Sequence, residues 1–226
     1  MRADDVPEYV QDGVVDYGIT GLDIVRESGA EVTELLRLGF GACTLEAAVP
    51  TESPLESLPD LAGARVATAF PRLARELLPA TVELVDVHGS VELAPRLGLA
   101  DAIVDLVSSG STLRTNGLRS VARLLESEAV LIGRGDAATD LAAVLCSVVD
   151  ARAARYLMLN APEQALPEIV SLVPGSRAPS VLPLTEPGMV AVHSVVPAAD
   201  VWRLLPALEA AGASSILLVP LERMLA

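Results

Sequence analysis

Lysine is absent from this chain of 226 residues; all 16 basic residues are arginine. Chemistry that needs a lysine amine, such as a Schiff base, is thereby excluded. Aromatic residues make up only 3% of the chain against 51% hydrophobic overall, so the core must be built from Ala, Val and Leu, as in α/β proteins. Positive charge is also scarce. Sixteen arginines face 30 carboxylates, a formal net charge of −14, which leaves no basic stripe for nucleic acid. The two histidines, His88 and His193, have no companion at ligand or triad spacing, and they are too few for a His-rich metal site. The two cysteines, Cys43 and Cys146, lie far apart. They read as small buried apolar residues rather than nucleophiles or a disulfide framework, which points to a reduced, cytoplasmic setting. No apolar run approaches the roughly 20 residues of a membrane span, and the acidic start MRADDVPEYV has no signal-peptide core.

What the chain does have is hydrophobic periodicity. Val6–Gln11 reads as a short helix, Val14–Thr20 as a strand, and Leu22–Ser28 as a helix with Asp23 in its first turn. The turn between the last two holds Gly18, Thr20 and Gly21. A strand running through such a turn into a helix start faces ligands in many α/β folds, and is also an ordinary βα turn. Strands are expected at 45–49, 65–69, 81–87 and 102–107, with helices at 72–78 and around Glu92, the latter capped by Ser90 and stopped by Gly98. That alternation predicts a parallel sheet. Leu118–Gly133 reads as an antiparallel return pair and Asp136–Arg155 as a long helix. From Tyr156 the order is strand, helix, strand, strand, helix, strand, which is ferredoxin-like.

Glu92 to Leu113 carries the densest chemistry. Ala102–Val107 is apolar except for Asp105, and Ser108, Ser109, Gly110, Ser111 and Thr112 follow. Such a loop can aim successive backbone N–H groups and hydroxyls at a phosphate without lysine, or simply cap its own turn. An acid inside an apolar strand is conspicuous, because burying an unpaired carboxylate is costly. Glu92 alone is more often a partner for a helix dipole than a ligand. Arg72 and Arg75 could meet pyrophosphate or form a solvated face.

Glu92, Gly98, Ala100, Ile103, Asp105, Leu106, Ser109, Gly110, Thr112 and Leu113 together resemble, position by position, the signature of the ATP phosphoribosyltransferases, which open histidine biosynthesis. Residues 2–7, 16–21 and 66–71 resemble further segments of that family, and residues 156–162 and 173–175 resemble the C-terminal regulatory domain of its long form. The resemblance implies a two-lobed catalytic part like the periplasmic binding proteins, with parallel-rich sheets: lobe I from 1–43 and 135–154, lobe II from 44–134. A ferredoxin-like βαββαβ regulatory domain over 155–226 would follow. It also implies that a segment of about 50 residues normally precedes this point of the fold, so that lobe I is incomplete.

By the same resemblance the reaction joins N1 of ATP to C1 of phosphoribosyl pyrophosphate and releases pyrophosphate, with Mg²⁺ on the leaving group. Asp105 and Glu92 would be the catalytic pair, and Ser108, Ser109, Gly110, Ser111 and Thr112 the 5′-phosphate loop. Gly18, Thr20, Gly21 and Asp23 would face ATP. Histidine would inhibit through Asn160, Ser180 and Ser215, between neighbouring regulatory domains of a dimer-to-hexamer homo-oligomer. Two other readings stand beside this one: a non-catalytic remnant that binds ligand and histidine without turnover, and a solute-binding protein. The second fits the two-lobed pattern but not the regulatory-type tail.

Overall fold

The structure is a computed structural model, and it describes residues 2–135, 139–173, 175 and 178–225. It divides into two compact units, Met1–Thr139 and Asp140–Ala226.

The first unit holds two sheets. The smaller is antiparallel, in the order β1 (Tyr17–Gly21), β8 (Ala129–Gly133), β2 (Thr33–Arg37). Helix α1 (Val6–Gln11), with Pro7 in its first turn, lays Val6 and Val10 on this sheet beside Leu22, Val130 and Ile132. The close approach requires glycine at position 18, because a Cβ there would collide with the Val6 Cγ1 methyl. Helix α2 (Leu22–Ser28) follows β1 directly and ends on Gly29, whose φ of 67° is left-handed.

The larger sheet runs β5 (Glu83–Asp86), β4 (Arg65–Thr68), β6 (Ala102–Val107), β3 (Cys43–Pro50), β7 (Leu118–Ser127). Strand alternation sorts its residues onto two faces. Leu45, Ala47, Val49, Val66, Ala102 and Val104 pack with Leu73 and Ala74 of α3 (Pro71–Leu77). Ala48, Ala67 and Ile103 face the other way, toward Val91, Ala94 and Leu113. Phe70, at the N-cap of α3, offers no side-chain acceptor. Glu27 of α2 supplies it, taking the Arg72 N–H at 2.8 Å and the Leu73 N–H at 2.9 Å.

The chain passes between the two sheets twice, and the two passages lie side by side. Leu38 N–H donates to Ala129 O, Ala129 N–H to Phe40 O, and Cys43 pairs with Ser127.

In the second unit, α5 (Thr139–Arg152) precedes a four-stranded antiparallel sheet in the order β10 (Ser180–Pro183), β11 (Met189–Pro197), β9 (Ala154–Pro162), β12 (Ser214–Pro220). Leu157, Leu159 and Val192 pack under α6 (Leu166–Leu172) and α7 (Val201–Ala210) through Ile169 and Leu208. The chain order β9-α6-β10-β11-α7-β12 is the expected ferredoxin-like one.

Four expectations are corrected in detail. The larger sheet is mixed: β4 is parallel to β5 and β6, but β3 is antiparallel to both β6 and β7. Strands β7 and β8 do not form a return pair; β7 joins β3, while β8 lies between β1 and β2. The helix around Glu92 shrinks to one 3-10 turn, Val91–Leu93, because Pro95 has no N–H to continue it. Ser90 makes no side-chain cap and sits at φ 51°. Strand β2 was not anticipated. Asp136 and Pro174, parts of the expected long helix and of the tail resemblance, lie outside the described residues.

Gly18→Ala should lower stability by about 1–3 kcal/mol, as overpacking does. Urea denaturation measures it, and an unchanged midpoint would contradict the α1–β1 packing described above.

Candidate active site

A cleft of about 730 Å³ opens where β6 ends and β3 begins. Its wall includes Ser108, Ser109 and Gly110, together with Thr44, Glu46, Arg123 and Ser127. The loop takes its shape from Gly110, which sits at φ 69°, ψ 5° in the N-cap position of α4 (Ser111–Thr115). A side chain is strained in that backbone conformation. The Ser109 and Ser111 hydroxyls lie 2.9 Å apart, and the Ser111 N–H reaches Ser109 Oγ at 3.4 Å. Leu113, buried in the second core face, anchors the turn from below. Thr112 stands in the first turn of α4, where its carbonyl accepts from Asn116 Nδ2 at 3.0 Å.

Asp105 is half-buried at the end of β6, with Oδ1 accepting its neighbour Leu106 N–H at 2.8 Å. Burial pushes its carboxyl above the ordinary range; the Leu106 N–H opposes that push and the charge of Glu92 adds to it. Directly across the strand pair from Asp105 stands Glu46, buried, accepting the Thr44 hydroxyl at 2.6 Å. Sequence reading did not single out Glu46. The signal was present, since Glu46 is an acid inside the apolar run Leu45–Val49, the same argument that drew attention to Asp105.

Gly18, Thr20 and Gly21 lie on β1, in the smaller sheet. The Thr20 hydroxyl is occupied by Ala3 O at 3.0 Å. Asp23, 5% exposed, is tied to the cleft wall by one residue. Ser127 Oγ donates to Asp23 Oδ1 at 2.5 Å and accepts the Asp23 N–H at 3.0 Å. Cys43 sits beside them, its thiol pushed up first by burial and then by the charge of Asp23.

In the second unit Ser180 is on β10, opposite His193, and Asn160 is on β9 between Ala191 and Ser214. Ser215 falls in a bulge of β12 at φ 49°. Since β10 and β12 are opposite edges of the sheet, the three residues are spread across it rather than gathered in one cluster.

Residues 2–150 match the family model described as ATP phosphoribosyltransferase, and residues 151–223 match the one described as HisG, C-terminal domain. The chain belongs to the ATP phosphoribosyltransferase family. It is 45% identical over 232 residues to the ATP phosphoribosyltransferase of Halobacterium salinarum, covering 99% of this chain and 82% of that protein. It is 43% identical over 244 residues to that of Gemmatimonas aurantiaca, covering 100% and 84%. Among solved structures it resembles the ATP phosphoribosyl transferase (HisG:HisZ) complex from Thermotoga maritima at a TM-score of 0.54 and 26% identity, over 62% of this chain and 70% of that one. The family is the long form with the C-terminal domain, and its reaction is the first step of histidine biosynthesis. Its enzymes are glycosyltransferases that use ATP and phosphoribosyl pyrophosphate, and they are generally Mg²⁺-dependent. Among the described residues no helix is long and apolar enough to cross a membrane.

The raised carboxyl of Asp105 sets a sign for stability. The folded state holds that proton more tightly than the unfolded chain does. Stability is therefore lost as pH rises from the ordinary carboxylate value through the raised one. Asp105→Asn should accordingly raise Tm at neutral pH, with the gain shrinking in acid. A lower Tm at neutral pH would show that the carboxylate stabilises the fold instead.

Proposed function

We propose that this chain itself catalyses the condensation of ATP with phosphoribosyl pyrophosphate. N1 of the adenine bonds to C1 of the ribose while the bond from C1 to the pyrophosphate oxygen breaks, so pyrophosphate leaves with that electron pair. The observation that supports this most directly is the juxtaposition, at one strand end, of the Ser108–Gly110 wall with the half-buried Asp105.

Positive charge grows on the ribose as the polyanion departs, so the site's task is to position both substrates and to match charge where it develops. Ser108, Ser109, Gly110, Ser111 and Thr112 hold the 5′-phosphate through N–H groups and hydroxyls. Asp105 and Glu92 accept hydrogen bonds from the ribose hydroxyls, and negative charge there would favour the cationic sugar. The ATP side is formed from β1 and the start of α2, at Gly18, Thr20, Gly21 and Asp23. Their packing and hydrogen bonds shape that surface, with backbone groups as the contacts available at the glycines.

Asp105 and Glu92 offer oxygen donors only, which suits Mg²⁺, and among the described residues no three acidic, His or Cys side chains cluster to hold a metal by themselves, so substrate phosphates would complete its coordination. That ion is held through one or two carboxylates plus substrate phosphates and keeps several waters. When bound it supplies neutralisation of the leaving pyrophosphate.

In the second unit Asn160, Ser180 and Ser215 are the proposed histidine contacts. Their spread over both sheet edges favours a ligand shared between neighbouring copies, which calls for a homo-oligomer. Lobe I over 1–43 and 135–154, lobe II over 44–134 and a regulatory domain over 155–226 remain the proposed functional division, in a cytoplasmic enzyme.

Release of pyrophosphate on mixing the protein with ATP, phosphoribosyl pyrophosphate and Mg²⁺ tests the reaction; a folded protein that releases none would refute it. Gly110→Val should raise KM for phosphoribosyl pyrophosphate at least about tenfold by blocking backbone approach. Circular dichroism on the same sample separates that effect from unfolding. Asp105→Asn should cut kcat by roughly 100-fold or more, and histidine should inhibit the wild type but not Asn160→Ala.

A further inference from the structure

Four arginines border the cleft: Arg37, Arg114, Arg119 and Arg123. Three are occupied by the protein. Arg37 pairs through Nε with Glu34 at 2.9 Å and reaches Glu128 at 3.7 Å. Arg119 donates to the carbonyls of Ser53 at 3.0 Å and Leu55 at 2.8 Å, fixing the connector after β3. Arg114 reaches Ser109 O at 3.4 Å and so braces the phosphate loop.

Arg123 differs. Its side chain is 74% exposed, and its ion pair runs from Nε to Glu46 Oε1 at 3.5 Å. Its shortest contact with that carboxylate is through Nε, and no hydrogen bond from its Nη nitrogens is seen among the described residues.

The position of Arg123 is produced by a bulge. Leu125 stands opposite Leu45, but the next pair along is Arg123 with Glu46, so Leu124 is an extra residue in β7. The bulge lets Leu124 and Leu125 both pack into the core face that holds Leu45. Regular alternation would have set Leu124 opposite Glu46 and turned Arg123 away from it. Bulges re-aim side chains in this way and are frequent next to active sites. One row therefore crosses three strands: Arg123 on β7, Glu46 on β3, Asp105 on β6. Its ends are two strand spacings apart, about 10 Å, a span that a ribose with an attached diphosphate can bridge.

We propose that Arg123 binds the polyphosphate of a substrate in this cleft, and that Glu46 is its positioning residue. This rests on the reaction proposed above. Glu46 is buried and steadied by Thr44, and it meets the guanidinium at Nε while Arg123 lines the cleft. A planar fork of two N–H donors suits bidentate contact with phosphate oxygens, and in a chain without lysine only arginine can supply it. The chemistry recognised is a di- or triphosphate, from either the departing pyrophosphate or ATP.

Isothermal calorimetry with inorganic pyrophosphate and Mg²⁺, on the full chain, tests the contact without requiring turnover. Affinity should fall at least about tenfold in Arg123→Ala, fall less in Glu46→Gln, and hold in the surface control Arg203→Ala. Equal binding by wild type and Arg123→Ala overturns the proposal, as does a wild type that binds no pyrophosphate. Steady-state kinetics then separate the sources. A rise in KM for phosphoribosyl pyrophosphate assigns Arg123 to the leaving group, a rise in KM for ATP assigns it to the triphosphate, and no change in either overturns the assignment. Normal wild-type turnover with Arg123-independent pyrophosphate binding would sink this inference alone. Arg123-dependent binding without wild-type turnover would sink the proposed reaction and leave the contact standing.

Discussion

One serine hydroxyl governs the geometry of the first unit. Ser127 stands where the chain leaves the larger sheet for the smaller, and it both donates to the Asp23 carboxylate and accepts the Asp23 N–H. Asp23 is almost fully buried, and a buried carboxylate without a partner costs several kcal/mol. The contact therefore fixes the start of α2 against the end of β7. The neighbouring bond from Leu22 N–H to Glu128 O, at 3.0 Å, holds the same junction through the backbone. The same strand carries Ser127 and Arg123 into the cleft wall, so this junction supports that wall.

The acidic balance of the chain, −14 overall, is set against two polyanionic substrates of its family. Local arrangement resolves the opposition better than net charge does. Four of the sixteen arginines border one cleft, and Ser108, Ser109 and Gly110 of the loop after β6 line it. A field focused in a cleft can attract anions that the protein's average charge would repel. The carboxylates on the same sheet face suit a reaction in which the sugar becomes positive while the phosphates leave.

Much of this was legible in the residues. Strand β6 was placed at its observed limits, Ala102–Val107, because it is buried and apolar, and the tail's order followed from clear alternation and turn residues. The loop at Ser108–Thr112 was marked by composition alone. Other features depend on tertiary pairing. Strand β2, TELLR, is short, partly charged and nowhere fully buried, so its pattern is weak. The separate fates of β7 and β8 follow from the crossing between sheets, which no local period encodes. Glu46 carried a readable signal that was passed over. The bulge at Leu124 carried none: two successive leucines in a strand do not show which one is extra until the partner strand is present.

Glu27 caps α3 with two hydrogen bonds from a helix on the other sheet. Charge-assisted bonds of this kind contribute about 1.5–3 kcal/mol each, so swinging the sheets apart would have to give up both or replace them with water. The clasp therefore stabilises the observed arrangement of the two sheets in the absence of ligand. A ligand that prefers this arrangement then binds with close to its intrinsic affinity, because little of the population lies in an incompetent form. Any separation of the two sheets must therefore break both bonds between one carboxylate and two amides.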